Sequence, residues 1–266
     1  MDMVLLTALG VGGATVFGAG IGVLFKKASH KFSDIVLAFA AGVMLAAAVL
    51  GLIIPSVEYG YDMMAVFDGV PDLGAKGLSL LMTVAGIFVG AICLNLVDRL
   101  VPHLHKMAGV DHESHPTNQN VGKVMLFVMA IAIHNLPEGI AAGVGFGSDN
   151  TAEALLIAGG IALQNIPEGM VIIGPMLAAG IKPGKTFLIA LGTGLVEVVG
   201  TLIGYFAVSV SAAILPFALA FAGGTMLYII SDEMIPETHA HGCERGATYA
   251  LLVGFCVMLI SDILLG

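Results

Sequence analysis

Long apolar runs, separated by short polar segments, dominate the sequence of this 266-residue chain. About 20 consecutive apolar residues allow a helix to cross a bilayer, and tilt accommodates longer runs. Eight segments meet this requirement, which predicts an all-α polytopic membrane protein whose residues 1–266 form a single transmembrane domain. The predicted spans are residues 3–25, 33–57, 76–97, 123–146, 152–179, 186–209, 214–235 and 245–265.

The composition agrees with this class of protein. Hydrophobic residues make up 58% of the chain and charged residues only 11%, whereas about 25% of the residues in a soluble domain are charged. The mean hydropathy is +1.00. These values exclude an ordinary soluble domain, and we expect the lipid bilayer, but no nucleic acid, among the partners of the chain.

The first apolar run is interpreted as a membrane span rather than as a signal peptide. It follows Asp2 instead of a basic segment, and it is longer than the roughly 7–15 residues of a signal-peptide core. We therefore count it as the first of the eight spans.

The basic residues predict the orientation of the chain. With eight spans, nine of the ten Lys and Arg residues fall on one side of the membrane, and only Lys76 falls on the other. Because basic residues concentrate in cytoplasmic loops, the side with nine is predicted to be cytoplasmic. Both termini then lie outside, and we expect a multi-pass protein of the cell inner membrane.

The connection at 101–122, between the third and fourth spans, is rich in histidine and is predicted to be cytoplasmic. Clustered histidines are a weak indication of metal binding, and their spacing fits no defined closed site. A role in metal handling and a flexible polar linker are both open interpretations. Three scattered cysteines without CxxC spacing are assigned no chemistry; they are Cys93, Cys243 and Cys256.

Two copies of one six-residue phrase lie inside the fourth and fifth spans. Residues 134–139 read HNLPEG, and residues 164–169 read QNIPEG. A carboxylate at mid-membrane costs about 2.5–3.5 kcal/mol on insertion scales, so each phrase is a functional hypothesis. The polar positions of each phrase share about 100° of helix surface. Because consecutive spans are antiparallel, the two polar faces are expected to meet with inverted-repeat pseudo-symmetry.

These polar faces predict a site for a divalent metal ion. Imidazole, carboxylate and amide groups without a thiolate suit Zn²⁺, and also Fe²⁺, Mn²⁺ or Cd²⁺. Glu197 in the sixth span offers a third carboxylate, and three carboxylates leave a charge of −1 with one divalent ion or +1 with two. One or two ions are therefore plausible. The predicted ligands are His134, Asn135, Glu138, Gln164, Asn165, Glu168 and Glu197.

A structural role for these polar groups is the alternative. Intramembrane Asn, Gln and His side chains can hydrogen-bond helices together at about 1 kcal/mol each. Two matched carboxylates beside prolines argue against a purely structural role, whereas lone Asn95 fits it well.

The paired phrases, the glutamate in the sixth span and the His-bearing loop resemble the ZIP (Zrt/Irt-like) metal transporters of the compact bacterial kind. The resemblance covers essentially the whole chain. It implies that the fourth and fifth spans supply most of a binuclear metal site, with Met44 of the second span as a thioether ligand. It also implies a transport path with carboxylates at the outer mouth and further polar groups toward the inner side. These are Glu58 and Asp262 outside, and Asp98, His103, Asp232, Glu233 and His239 inside.

One residue departs from the pattern of the family. Asn165 stands where some members have Asp, and the lost negative charge should weaken the second metal position more than the first. The resemblance further implies alternating access, in which spans one, four, five and six slide against spans two, three, seven and eight. It also implies a possible homodimer.

We therefore expect a secondary carrier, and no enzyme, that moves a divalent transition metal into the cytoplasm. Zn²⁺ is the first choice, no prosthetic cofactor is expected, and the chain has no GxxxxGK[ST] loop for ATP hydrolysis. An intramembrane metallohydrolase is one alternative, although HExxH is absent. A proton or monovalent-cation carrier is the other, although the imidazole of His134 favours transition metals.

Overall fold

The computed structural model describes residues 2–24, 30–65, 72–107, 132, 135–147, 151–178, 180–240 and 242–265. The elements among these residues are helical, and no strand occurs among them. The α-helices are α1 (Asp2–Leu24), α2 (His30–Ala46), α3 (Ile54–Ala65), α4 (Asp72–Met107), α5 (135–144), α6 (Thr151–Ala178), α7 (Pro183–Val210), α8 (Leu215–Ile229), α9 (Ile235–Thr238) and α10 (Glu244–Leu265).

Two of the membrane-length helices contain a π-helical segment. Ala47–Ile53 joins α2 to α3, and Ile230–Met234 joins α8 to α9, so each pair runs on as one helical rod. Short π-helical insertions widen a helix by one residue per turn and occur frequently at functional sites. Here the second insertion carries Asp232 and Glu233.

Seven of the described helical rods are long and apolar enough to cross a membrane. They cover seven of the predicted spans, and the all-α polytopic class is confirmed. The predicted fourth span lies partly outside the described residues, and α5 with the 3₁₀ turn Gly145–Gly147 is its main described part. The apolar part of α4 ends at Leu96, and α4 continues beyond it as one helix to Met107.

Large apolar side chains cover the outward surfaces of these rods. Leu6 and Phe17 on α1, Phe88 on α4 and Ile263 on α10 are all exposed. An apolar surface of this kind is unfavourable in water and favourable against lipid acyl chains, which fits a protein embedded in a bilayer.

The helices pack in two groups. Helix α1 packs most extensively on α6 and α7, and α5 approaches α7 closely at Gly139; we call α1, α5, α6 and α7 the central group. Helix α2 packs on α10, and α4 packs on α8 and α3; these helices form the flanking group. The two groups meet mainly where α2 contacts α6.

Hydrogen bonds between side chains tie the flanking group together. The Ser56 hydroxyl donates to the Pro216 carbonyl at 2.7 Å and lies 2.9 Å from the Thr83 hydroxyl. The Asn95 amide donates to the Tyr228 hydroxyl at 2.8 Å. This bond links α4 to α8 and agrees with the interpretation of Asn95 as a structural residue.

Candidate metal site

The glycine that ends each phrase lets a neighbouring helix approach the site. A Cβ atom at Gly139 would collide with the backbone carbonyl of Glu197 in α7. A Cβ atom at Gly169 would collide with the backbone carbonyl of Thr15 in α1. The two phrases therefore use their glycines in the same way, each to bring one more helix of the central group against the polar residues. Small residues perform this function widely in membrane proteins.

The polar side chains that the phrases contribute are buried. Glu138 is 1% exposed, Glu168 is 8% exposed, and the three amide residues are fully enclosed. Glu197 of α7 and Thr15 of α1 are buried beside them. The described part of the predicted site therefore lies inside the central group rather than on its lipid-facing surface. The buried amide residues are Asn135, Gln164 and Asn165.

The Glu197 carboxylate accepts hydrogen bonds from three other helices. The Thr15 hydroxyl and the Asn135 amide nitrogen both donate to Oε1, each at 2.5 Å. The Asn165 amide nitrogen donates to Oε2 at 2.5 Å. Charge-assisted hydrogen bonds are shorter and stronger than neutral ones, so these three contacts compensate much of the cost of burying the charge.

The amide groups form a chain that starts at Glu197. The nitrogen of Asn165 points to Glu197, and its oxygen accepts a bond from the Gln164 nitrogen at 2.9 Å. Two buried amide oxygens, Asn135 Oδ1 and Gln164 Oε1, have no hydrogen-bond partner within the described part of the chain. Buried acceptors normally have partners, so these two oxygens are available to a cation.

Negative charge accumulates around the amide groups. Glu138 and Glu168 are close enough to interact electrostatically, and each also interacts electrostatically with Glu197. Glu233, in the π-helical segment after α8, also interacts electrostatically with Glu168. Uncompensated charges are costly in the low-dielectric interior of a membrane protein. A divalent cation among these groups would relieve the repulsion.

For two predicted ligands, His134 and Met44, the structure shows no contact with the buried carboxylates and amides described above. His134 lies outside the described residues. Met44 is fully buried in an apolar cluster with Leu52, Ile161 and Met226, which is the core environment expected of a methionine. Among the described residues no group of three or more His, Cys, Asp or Glu side chains is arranged to hold a metal ion. The described donors are therefore carboxylates combined with amide oxygens.

The residues of the implied transport path are dispersed. Glu58 and Asp232 are exposed, and Asp262 and Glu233 are partly exposed. Asp98 and His103 belong to the last turns of α4, and their side chains lie outside the described part of the structure.

His239 at the end of α9 has a defined ring orientation. Its Nδ1 lies 2.8 Å from the Ile235 carbonyl, which can only accept a hydrogen bond. Nδ1 therefore donates to that carbonyl, and Nε2 is the ring nitrogen that faces away from it. A backbone carbonyl orients many metal-binding histidines in the same way.

Thr15 is the site residue that the sequence did not indicate. It lies in the apolar run of α1 among small residues, where threonine usually bonds to its own helix backbone. No spacing signal connects it to residues 182 positions away, and only the packing of α1 on α7 shows the contact.

Membrane-length helices that enclose carboxylates and amide oxygens define an intramembrane polar site of the kind found in secondary transporters. A family model described as "ZIP Zinc transporter" matches residues 102–262. The chain belongs to this family, which confirms the resemblance drawn from the two phrases and makes the protein a transporter rather than an enzyme.

Relatives cover most of the chain. It is 41% identical over 217 residues to the zinc transporter GufA of Myxococcus xanthus, with 81% of this chain and 80% of that protein covered. It is 36% identical over 254 residues to the zinc transporter ZIPB of Bordetella bronchiseptica, with 95% and 78% covered. It is 34% identical over 260 residues to the zinc transporter ZupT of Chlorobaculum parvum, with 94% and 93% covered.

Proposed function

We propose that this protein carries Zn²⁺ across the cell inner membrane into the cytoplasm by alternating access. The observation that carries the proposal is the burial of Glu138 and Glu168 beside two amide oxygens that have no hydrogen-bond partner among the described residues. These carboxylates attract a divalent ion, and the membership in the ZIP family favours zinc among the divalent metals. Cd²⁺, Fe²⁺ and Mn²⁺ are the other candidates, since all accept oxygen and nitrogen ligands.

The packing of the helices supports a two-body mechanism. Among the described residues each group is held together by extensive internal contacts, whereas fewer contacts join the central group to the flanking group. The phrases belong to the central group, so a sliding movement of that group would move the ion relative to the flanking group. Alternating access requires such a movement around a site that itself stays intact.

The proposed path uses the residues that the resemblance to the ZIP family implies. Zn²⁺ enters past Glu58 and Asp262 at the outer end and binds between α5 and α6. Release toward the cytoplasm passes Glu233 and Asp232, which lie in one π-helical segment, and then His239. The histidine-rich connection at 101–122 lies on the cytoplasmic side, both termini lie outside, and the protein works as a homodimer.

Zinc uptake by proteoliposomes tests the proposal. The purified chain is reconstituted into vesicles that contain a zinc-sensitive fluorophore, and we expect saturable zinc entry without added ATP. Excess Na⁺ or K⁺ should not compete. Competition by these ions would favour a monovalent-cation carrier, and vesicles that admit no more zinc than protein-free vesicles would contradict the proposal.

Zinc binding is expected to weaken in acid. Metal ligands must be deprotonated, so protons compete with the metal for the carboxylates and the imidazole. The dissociation constant should rise between pH 7.5 and pH 5.5, two values chosen to span the titration of a histidine at about 6.5. Titration calorimetry at one pH in two buffers of different ionisation enthalpy measures the protons released. Identical heats in both buffers and a constant affinity would contradict deprotonation of the ligands.

A further inference from the structure

A groove that opens to the lipid runs between α6 of the central group and α10 of the flanking group. We propose that this groove binds one acyl chain of a phospholipid of the outer leaflet, whose zwitterionic headgroup carries an ammonium group. The inference goes beyond zinc transport. It uses the proposed orientation of the chain only to say which leaflet is the outer one.

The groove has the size and the lining of a binding site for an apolar ligand. Its volume is about 500 Å³, within the roughly 300–1,000 Å³ of small-molecule pockets. Residues of α6 between Ala152 and Leu163 form one side, and Met258 and Ser261 of α10 form the other. Ser261 is the only polar residue of this lining, and its hydroxyl donates to the Val257 carbonyl of its own helix at 2.9 Å. The remaining lining favours a hydrocarbon chain over a polar ligand.

Two adjacent glycines of α6 shape the groove. A Cβ atom at Gly160 would lie 2.7 Å from the terminal methyl group of Met258, so the two helices touch at this point and close the floor of the groove. A Cβ atom at Gly159 would meet nothing within 4 Å, and Gly159 is exposed. The space above Gly159 is therefore open to the bilayer, and a larger side chain at this position would fill it.

The length of the groove matches one leaflet of a bilayer. Ala152 is the second residue of α6, and Leu163 directly precedes the QNIPEG phrase. Residues 152–163 rise by about 16 Å, since an α-helix rises about 1.5 Å per residue. Half of the hydrocarbon core of a bilayer is about 15 Å thick. An acyl chain that enters at the level of the headgroups would thus fill the groove to its inner end.

The charges at the mouth of the groove favour an ammonium headgroup. Asp262 follows Ser261 at this end and is partly exposed. Lysine and arginine are absent from α6, and α10 carries only Arg245, at its opposite end. Anionic lipids are recognised by clustered basic residues, so an anionic headgroup has no partner here. The ammonium group of a zwitterionic lipid can instead lie beside the Asp262 carboxylate.

The position of the groove gives the lipid a structural effect. Because α6 and α10 belong to different groups, a bound acyl chain contacts the central and the flanking group at the same time. A ligand stabilises the arrangement that it binds best. The lipid should therefore stabilise the arrangement of the two groups described here.

Lipid binding by the delipidated full-length chain tests the site. Native mass spectrometry counts the phosphatidylethanolamine molecules bound to each chain as this lipid is titrated, and anionic phosphatidylglycerol is titrated for comparison. Gly159→Leu places a side chain in the groove. Gly174→Leu is the matched control in the same helix, because Gly174 is also exposed and a Cβ atom there also meets nothing within 4 Å.

We expect the wild type and Gly174→Leu to bind one phosphatidylethanolamine before any further lipid, and to bind phosphatidylglycerol more weakly. Gly159→Leu should lose this first binding step. Phosphatidylethanolamine should also raise the melting temperature of the wild type and of Gly174→Leu more than that of Gly159→Leu. Equal lipid binding by the two variants, or equal binding of the two lipids by the wild type, would overturn the proposal.

A cryo-electron-microscopy structure of the wild type in phosphatidylethanolamine nanodiscs tests the proposal without any substitution. We expect one continuous, chain-shaped density along α6 from Ala152 to Leu163. A helix of a second copy of the chain in the groove, or an empty groove, would overturn the proposal. These measurements do not involve zinc, so their failure leaves the transport proposal intact, and a failure of zinc uptake leaves the lipid site intact.

Discussion

Replacement of Glu138 and Glu168 by glutamine is expected to reduce zinc uptake to the level of protein-free vesicles. The double variant keeps the size of both side chains but removes the two charges that balance the ion. Removal of a group that only orients a metal ligand already lowers affinity about 10–100-fold, so the loss of the two proposed ligands should exceed this range. Proteoliposome uptake and calorimetric zinc binding measure the effect.

The stability of the same variant separates a metal site from structural polar contacts. Buried carboxylates are costly in the membrane interior when they are ionised, so their replacement by glutamine should raise the melting temperature of the metal-free protein. Zinc should then stabilise the wild type, by about 2.7 kcal/mol at a hundredfold excess over its dissociation constant, and leave the double variant unchanged. Glu244→Gln, an exposed carboxylate at the start of α10, is the control. A double variant that is less stable and still transports zinc would contradict the assignment.

Gly169→Ala is expected to destabilise the protein and to reduce zinc uptake. The added methyl group would collide with the backbone carbonyl of Thr15, and backbone cannot move aside as a flexible side chain can. Overpacking of this kind costs about 1–3 kcal/mol. Because α1 must shift, the Thr15 hydroxyl would also leave the Glu197 carboxylate. Thermal unfolding in detergent measures the first effect, and proteoliposome uptake the second.

Gly174→Ala is the matched control in the same helix. A Cβ atom at Gly174 meets nothing within 4 Å, and alanine favours a helix over glycine by up to about 1 kcal/mol. The two substitutions should therefore change the melting temperature in opposite directions. A similar rise in both variants would show that α1 and α6 are not in close contact at Gly169.

The sequence predicted the fold class, and it singled out the amide and carboxylate side chains that are buried in the central group, because their signals are local. Apolar length identifies a membrane span whatever its neighbours are, and the phrase around Glu168 places its polar groups on one helix face. The end of α4 at Met107 was not predicted, since its last turns are no longer apolar and the helix continues without a hydropathy signal.

The sequence could not predict which side chains the Glu197 carboxylate contacts, nor that Thr15 is one of them. Both depend on which side chains meet across helices, and Thr15 and Glu197 are 182 positions apart. Glu197 was predicted as a metal ligand because it is a carboxylate inside an apolar membrane span. The three donors on its carboxylate come from α1, α5 and α6, and only the packed structure contains these contacts.

The order of these residues along the chain has a consequence for biogenesis. Thr15, Asn135 and Asn165 all precede Glu197, and domains are synthesised and begin to fold from the N-terminus. When α7 leaves the ribosome, every donor that its carboxylate will need has already been translated. The Glu197 carboxylate can thus form its hydrogen bonds as soon as α7 enters the bilayer. The buried cluster is then complete only after α7 packs on α1, the helix that was synthesised first.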